Sequence, residues 1–83
     1  MSKEIGKITH YFDNIGVAVI KISGSLKVGD TIYVQGATTD FTQEIDSMQV
    51  NHKPIQTAKK GDDAGMKVSE RVRPNDKVFL VDE

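Results

Sequence analysis

The side chains best suited to chemistry in this sequence are basic and lie in its second half. Residues 1–50 carry four basic and six acidic side chains, whereas residues 51–60 contain basic side chains and no acid. A guanidinium binds phosphate through a planar bidentate fork, and an ammonium adds a point charge. If the loops that hold these groups lie together, they form a polyanion-binding face suited to structured RNA. The predicted face comprises Lys53, Lys59, Lys60, Arg71 and Arg73.

Other partners for the two arginines stay open at this point. Arg71 and Arg73 could anchor a protein partner, or pair with the nearby acids Glu70 and Asp76. The net charge of −1 provides no overall attraction to nucleic acid, so an RNA site would depend on local charge. The rings available for base stacking beside such a site are those of Tyr11, Tyr33 and Phe41.

Other kinds of chemistry have little support in the residue types. The chain has no cysteine, which excludes disulfides, thiolate metal ligands and thiol nucleophiles. His10 and His52 are its two histidines, too few for a zinc site unless carboxylates join them. No Gly-x-Ser-x-Gly elbow marks a serine nucleophile, and the aspartates lack the alternate spacing of a calcium loop. We therefore predict no catalytic, metal-binding or cofactor-binding residues and no enzyme activity.

The elements that must position these side chains are β-strands, because apolar residues recur with a period of two. Alternation and β-branched residues predict six strands, over residues 5–12, 15–22, 31–35, 41–50, 64–68 and 77–81. Residues 51–60 are the one candidate for a helical turn, which Pro54 would open, although no apolar stripe supports a full helix. Closure removes the exposed edges of a small sheet. The sequence therefore predicts an all-β fold, a small closed six-stranded barrel with mainly antiparallel pairing.

One strand contains a change of parity. Phe41 and Ile45 share one face of the predicted strand, whereas Met48 and Val50 share the other. One additional residue near positions 46–47 would return all four to the core, so a β-bulge or sharp bend is predicted there. The predicted core comprises Ile8, Val19, Ile20, Ile32, Val34, Ile45, Met48, Met66, Val68, Val78 and Leu80.

Length and composition indicate one globular domain over residues 1–83. The chain has a mass of 9.2 kDa, with 37% hydrophobic and 28% charged residues, which is ordinary for a folded domain. Its longest apolar run covers residues 17–20, far short of a membrane span, and the first residues do not form a signal peptide. We therefore expect a complete, cytoplasmic chain without a membrane partner.

Four segments give the sequence a family resemblance. They are residues 5–8 (IGKI), 28–34 (VGDTIYV), 41–48 (FTQEIDSM) and 58–68 (AKKGDDAGMKV). In this order and spacing they resemble the second domain of elongation factor Tu-type translational GTPases, and small translation elongation factor-like proteins. They are also similar to the C-terminal barrel of collagenase-like peptidases. The resemblance covers nearly the whole chain and implies a barrel of the translation-protein domain 2 type.

Two departures from the family limit what the resemblance implies. No Gly-x-x-x-x-Gly-Lys-[Ser/Thr] segment is present, so the chain has no phosphate-binding loop and we predict that it does not bind GTP. Residues 20–24 read IKISG, where the translation factors carry an arginine-rich turn. A tRNA contact that depends on that arginine does not carry over to this chain.

Two hypotheses for function follow, and an enzyme ranks behind both. The first is a non-catalytic binding module that contacts RNA or the translation apparatus through its basic loops. The second is a protein–protein interaction adaptor related to the accessory barrel of collagenase-like peptidases. The resemblance favours the first, and salt dependence distinguishes them, because phosphate contacts release counterions whereas an apolar protein contact does not.

Overall fold

The computed structural model describes residues 2–51 and 53–81, and β-strands are their only regular elements. His52 lies outside the described residues. The strands are β1 (Ser2–Phe12), β2 (Val17–Ile22), β3 (Ser25–Lys27), β4 (Thr31–Gln35), β5 (Asp40–Glu44), β6 (Met48–Val50), β7 (Lys53–Ile55), β8 (Thr57–Lys59), β9 (Asp63–Lys67) and β10 (Lys77–Val81). The all-β prediction is confirmed. Within this part of the chain no helix is long and apolar enough to cross a membrane.

The number of strands is ten in these residues, and the prediction of six is wrong. The predicted strand 41–50 divides into β5 and β6, and the three-residue strands β3, β7 and β8 were not predicted. Residues 53–59 contribute the strands β7 and β8, so this part of the predicted helical stretch does not wind. Pro54 lies in β7 at the end of the sheet, where a residue without a backbone N–H is tolerated.

All strand pairs are antiparallel, and they form one large sheet and one ribbon. The eight-stranded sheet has the order β5-β4-β10-β1-β2-β9-β6-β7, and β3 pairs with β8 in a separate ribbon. Among the described strands no ladder joins the two ends of the sheet, β5 and β7, so the prediction of a closed barrel is corrected. Residues from the sheet and the ribbon share one hydrophobic cluster, which shows that the ribbon packs on the core of the sheet.

A side chain joins β5 to the end of β9, and we call the line between these two strands the seam. Gln43 of β5 donates from Nε2 to the carbonyl oxygen of Lys67 at 3.0 Å, and its Oε1 accepts from the backbone N–H of Ser69 at 2.8 Å. Beyond the last pair of the β4–β5 ladder, the N–H of Ile45 donates to the Asp30 carbonyl at 2.9 Å, so the pairing continues one residue past β5. One amide side chain thus replaces a backbone ladder between β5 and the end of β9.

The predicted core is confirmed except for two positions. Val19 is half-buried on the outer face of β2, because the alternation of that strand turns Ala18 and Ile20 inward. Leu80 is partly buried and packs against the edge of the core. Ile45 and Met48 are both 1% exposed although their parities differ, and residues 45–47 leave the strand conformation between them. The predicted bend near positions 46–47 is therefore confirmed.

A four-residue turn of one kind precedes three of the strands. Residues 27–30, 59–62 and 73–76 share the pattern [Lys/Arg]-x-[Gly/Asn]-Asp and lead into β4, β9 and β10. In each turn the aspartate carboxylate accepts the N–H of the first residue, at 2.9–3.0 Å. The third residue has a positive φ, which is 97° at Gly29, 95° at Gly61 and 78° at Asn75. Such φ values are typical of a type II turn.

Candidate functional site

The two arginines of the predicted basic face lie together. Arg71 and Arg73 belong to the loop between β9 and β10, and they line an open cavity of about 490 Å³ with Tyr11 and Asp13. Val72 between them is 1% exposed and anchors the loop in the core. Among residues 2–51 and 53–81, neither guanidinium has a carboxylate oxygen within 4.0 Å, and Lys21 and Asp63 form the ion pair present there, at 3.7 Å.

The three lysines of the predicted face lie on other elements. Lys53 belongs to β7, the terminal strand of the sheet. Lys59 ends β8, and Lys60 follows in the turn before β9. Strand β9 begins at this turn and ends beside Val17, at the tip of the β1–β2 hairpin. The turn lysines therefore lie at the end of β9 remote from the hairpin tip, and the structure places the lysines and the arginines apart.

The rings considered for base stacking are also separated. Phe41 is 7% exposed and belongs to the core. Tyr33 packs against Phe79 with ring centroids 6.0 Å apart. A hydrogen bond with Asp40 raises the pKa of the Tyr33 phenol, and desolvation and the charge of Asp40 add to the effect. Of the three rings, that of Tyr11 lines the arginine cavity.

An apolar groove lies on the outer face of the sheet and was not predicted. Its volume is about 480 Å³, and it runs over β1, β2, β9 and β6 from the hairpin tip to the start of β9. Apolar residues of the hairpin form one wall, polar residues of β6 and β9 form the other, and a glycine lies between them. We call this surface the apolar groove, lined by Phe12, Ile15, Val17, Val19, Gln49, Asn51, Asp63 and Gly65.

The hairpin turn explains why large apolar side chains are exposed here. The N–H groups of Ile15 and Gly16 both donate to the Phe12 carbonyl, at 3.2 and 2.8 Å. Gly16 has a φ of 68°, which closes the turn and directs the chain into β2. Ile15 is 58% exposed at the tip and Phe12 is 42% exposed beside it. The ring of His10 packs against that of Phe12, with centroids 4.9 Å apart, and extends the apolar surface.

The floor of the groove is open because a glycine, which has no side chain, lies there. Gly65 in β9 pairs with Val19 in β2 and with Gln49 in β6. A Cβ atom at Gly65 would lie 3.8 Å from Cγ1 of Val17 and 3.8 Å from the Gln49 carbonyl, which is ordinary contact. A side chain would therefore fit at this position and fill the groove. The sequence carries a signal for this surface, because residues 15–22 are apolar on both faces of the strand as far as Lys21, a pattern that is also typical of a strand covered on both sides.

The other surface features give weaker evidence for a binding site. Another cavity, of about 570 Å³, lies along the seam between β5 and β9 and has mainly polar lining residues, among them Gln43 and Ser69. These two side chains are already hydrogen-bonded to each other. In the described part of the chain, no three histidine, aspartate or glutamate side chains lie close enough together to hold a metal ion.

Fold and sequence together define the class of this protein. Residues 16–70, more than half of the chain, match the family described as Elongation factor Tu domain 2, and the chain belongs to that family. The resemblance stated from the sequence is thereby confirmed. A crystal structure of the C-terminal domain of a putative U32 peptidase from Geobacillus thermoleovorans has the same fold, with a TM-score of 0.91 at 18% identity. The match covers 96% of this chain and 93% of that domain.

Two curated relatives are named as peptidases. The chain is 42% identical over 81 residues to an uncharacterized protease of Methanocaldococcus jannaschii, covering 96% of this chain and 20% of the protease. It is 36% identical over 81 residues to a collagenase of Porphyromonas gingivalis, covering 95% of this chain and 22% of the collagenase. The chain thus spans about a fifth of the length of each relative. The predicted similarity to collagenase-like peptidases is confirmed.

Proposed function

We propose that this domain is a non-catalytic accessory module that binds the remainder of a peptidase of the U32 type through the apolar groove. The exposure of Phe12 and Ile15 beside a floor made by Gly65 carries the proposal. Single exposed apolar residues are common, but a contiguous apolar patch rimmed by polar groups marks a protein-binding surface. The polar rim here is supplied by Gln49, Asn51 and Asp63.

The comparisons favour this adaptor hypothesis over the RNA hypothesis. Relatives at 36–42% identity that align with nearly all of this chain are a protease and a collagenase, and four fifths of each lies outside the match. Two domains of one chain commonly share an interface of moderate size, which requires a contact surface on each. Membership of the elongation factor family supports RNA contact only by analogy, because one fold hosts many functions.

A binding experiment with a groove variant tests the proposal. The domain is titrated by calorimetry into the M. jannaschii protease from which the matching fifth has been deleted. We expect micromolar binding for the unmodified domain. Burying the exposed 58% of Ile15 contributes about 1–1.7 kcal/mol, so Ile15→Asp should weaken binding at least about fourfold. Gly65→Leu, which fills the floor of the groove, should weaken binding as well.

The control adds the same charge away from the groove. Thr38 is exposed in the loop between β4 and β5, and Thr38→Asp should bind like the unmodified domain. Thermal denaturation of each variant establishes that it is folded before titration. Equal affinities for Ile15→Asp and Thr38→Asp, or no binding of the unmodified domain, would show that the groove does not serve this function.

A further inference from the structure

The hairpin tip separates two surfaces that differ in chemistry. The apolar groove lies on one side, and the cavity lined by Arg71 and Arg73 lies on the other. We propose that Arg71 and Arg73 form a carboxylate-binding site, which receives an aspartate or glutamate side chain of the protein that docks on the apolar groove. This inference rests on the proposed function and specifies the chemistry of the partner.

The backbone holds the two guanidinium groups in a defined place. Val72 is buried between the arginines, so both side chains project outward from one anchored residue. The N–H of Arg73 donates to Oδ2 of Asp76 at 2.9 Å, within the turn that leads into β10. The loop is also tied to β1, because Ile8 donates to the Asp76 carbonyl and accepts from the Asn75 N–H, both at 2.8 Å. A ligand therefore does not have to order this segment.

The local charge fits a single carboxylate better than a polyanion. In the described ranges the guanidinium groups of Arg71 and Arg73 have no carboxylate partner within 4.0 Å. The candidate acid Asp76 uses its carboxylate to accept a backbone N–H instead. Asp13 lines the same cavity, so two positive charges and one negative charge leave one positive charge to be balanced. A nucleic acid would place several phosphates near the negative carboxylate of Asp13, whereas one side-chain carboxylate balances the one remaining positive charge of the cavity.

The two surfaces lie on opposite sides of the hairpin and meet at its tip. Tyr11 lines the arginine cavity, and the next residue, Phe12, lines the apolar groove. A partner that wraps around the hairpin tip, where Asp13 lines the arginine cavity and Ile15 lines the apolar groove, contacts both. The matching partner surface presents an apolar side chain for the groove and, close by, an acidic side chain for the arginine fork, which binds carboxylates with bidentate geometry.

The test compares two double variants that remove equal charge. The probe is the M. jannaschii protease without its matching fifth, titrated at low salt with Arg71→Gln/Arg73→Gln and with Lys59→Gln/Lys60→Gln. Exposed ion pairs contribute modestly, so we expect the arginine variant to bind about 2- to 30-fold more weakly and the lysine variant to be unchanged. In 1 M salt, where the screening length is about 3 Å, the difference should largely disappear. Arg71→Lys/Arg73→Lys should fall between, because it keeps charge without the fork.

Each outcome separates this inference from the proposed function. Weak binding by Ile15→Asp with normal binding by the arginine variant leaves the groove in place and overturns the carboxylate site. Equal losses in the arginine and lysine variants also overturn it, since they indicate general electrostatics. Specific loss in the arginine variant with normal binding by Ile15→Asp supports the site and overturns the groove. Binding of a short structured RNA that is tighter than that of the protease and is lost in the arginine variant assigns the site to RNA instead.

Discussion

The recurring turn gives the clearest quantitative prediction for the fold. Gly29 and Gly61 have φ values of 97° and 95°, and a Cβ atom at either position would meet no other atom within 4 Å. Replacing either glycine by alanine therefore introduces no steric clash, and the cost comes from the backbone conformation alone. Left-handed geometry costs an L-residue about 1–2 kcal/mol, so Gly29→Ala and Gly61→Ala should each destabilise the domain by that amount.

Thermal denaturation followed by far-ultraviolet circular dichroism measures this effect. For a domain of this size 1 kcal/mol corresponds to about 4–8 °C, so each variant should melt about 4–16 °C lower. Gly65→Ala is the matched control, because the same atom is added in ordinary contact at 3.8 Å and the φ is not positive. If all three variants melted together with the unmodified domain, the turn geometry and the argument built on it would be refuted.

Four further outcomes are expected. Ile32→Ala empties part of the core at a residue with 0% exposure, so it should cost about 2–5 kcal/mol and leave the domain largely unfolded near room temperature by urea titration. Gln43→Ala removes the hydrogen bonds that bridge the seam and should lower the free energy of unfolding by about 1–3 kcal/mol, whereas Gln35→Ala should have no effect. Folding holds the pKa of Tyr33 above 10.0, so the stability this phenol contributes is present below that pH and is lost as pH rises through the folded pKa. Absorbance titration should show the pKa of Tyr33 falling in Asp40→Asn, and calorimetry should detect no GTP binding.

The strands that could be predicted are those in which apolar and polar residues alternate over enough positions to indicate which face is buried. In β4, Ile32 and Val34 face the core and their neighbours face outward, which is a pattern that residue type alone reveals. Strands β3, β7 and β8 have three residues each, and a period of two has no statistical weight over three residues. Their positions depend on distant partners, such as Ser25 opposite Lys59, that local sequence does not indicate.

Part of the candidate site could likewise be predicted from the sequence and part could not. Arg71 and Arg73 lie together because a single buried residue separates them, and this arrangement is readable from the sequence. For these arginines to lie beside Lys53, Lys59 and Lys60, loops that are distant in sequence would have to meet. Whether they meet depends on the order of the strands in the sheet, which the sequence does not reveal. The apolar groove was missed because Val17 and Val19 are typical of a strand covered on both faces, whereas their outer face is open in this structure.

The outer face of β2 and β9 is charged at one end and apolar at the other. A partner that binds apolar surface therefore covers the end at the hairpin tip. At one end Lys21 pairs with Asp63 at 3.7 Å, and Lys21 also reaches the carbonyl of Gly61 at 3.5 Å. At the other end, about 13 Å away over the four residue steps of β9, the groove ends at the exposed side chains of Phe12 and Ile15 at the hairpin tip. A partner that buries the apolar end leaves Lys59 and Lys60 in solvent. Their exchange for glutamine therefore removes charge from the domain without changing a residue that lines the apolar groove or the arginine cavity. It is the control on which the assignment of Arg71 and Arg73 depends.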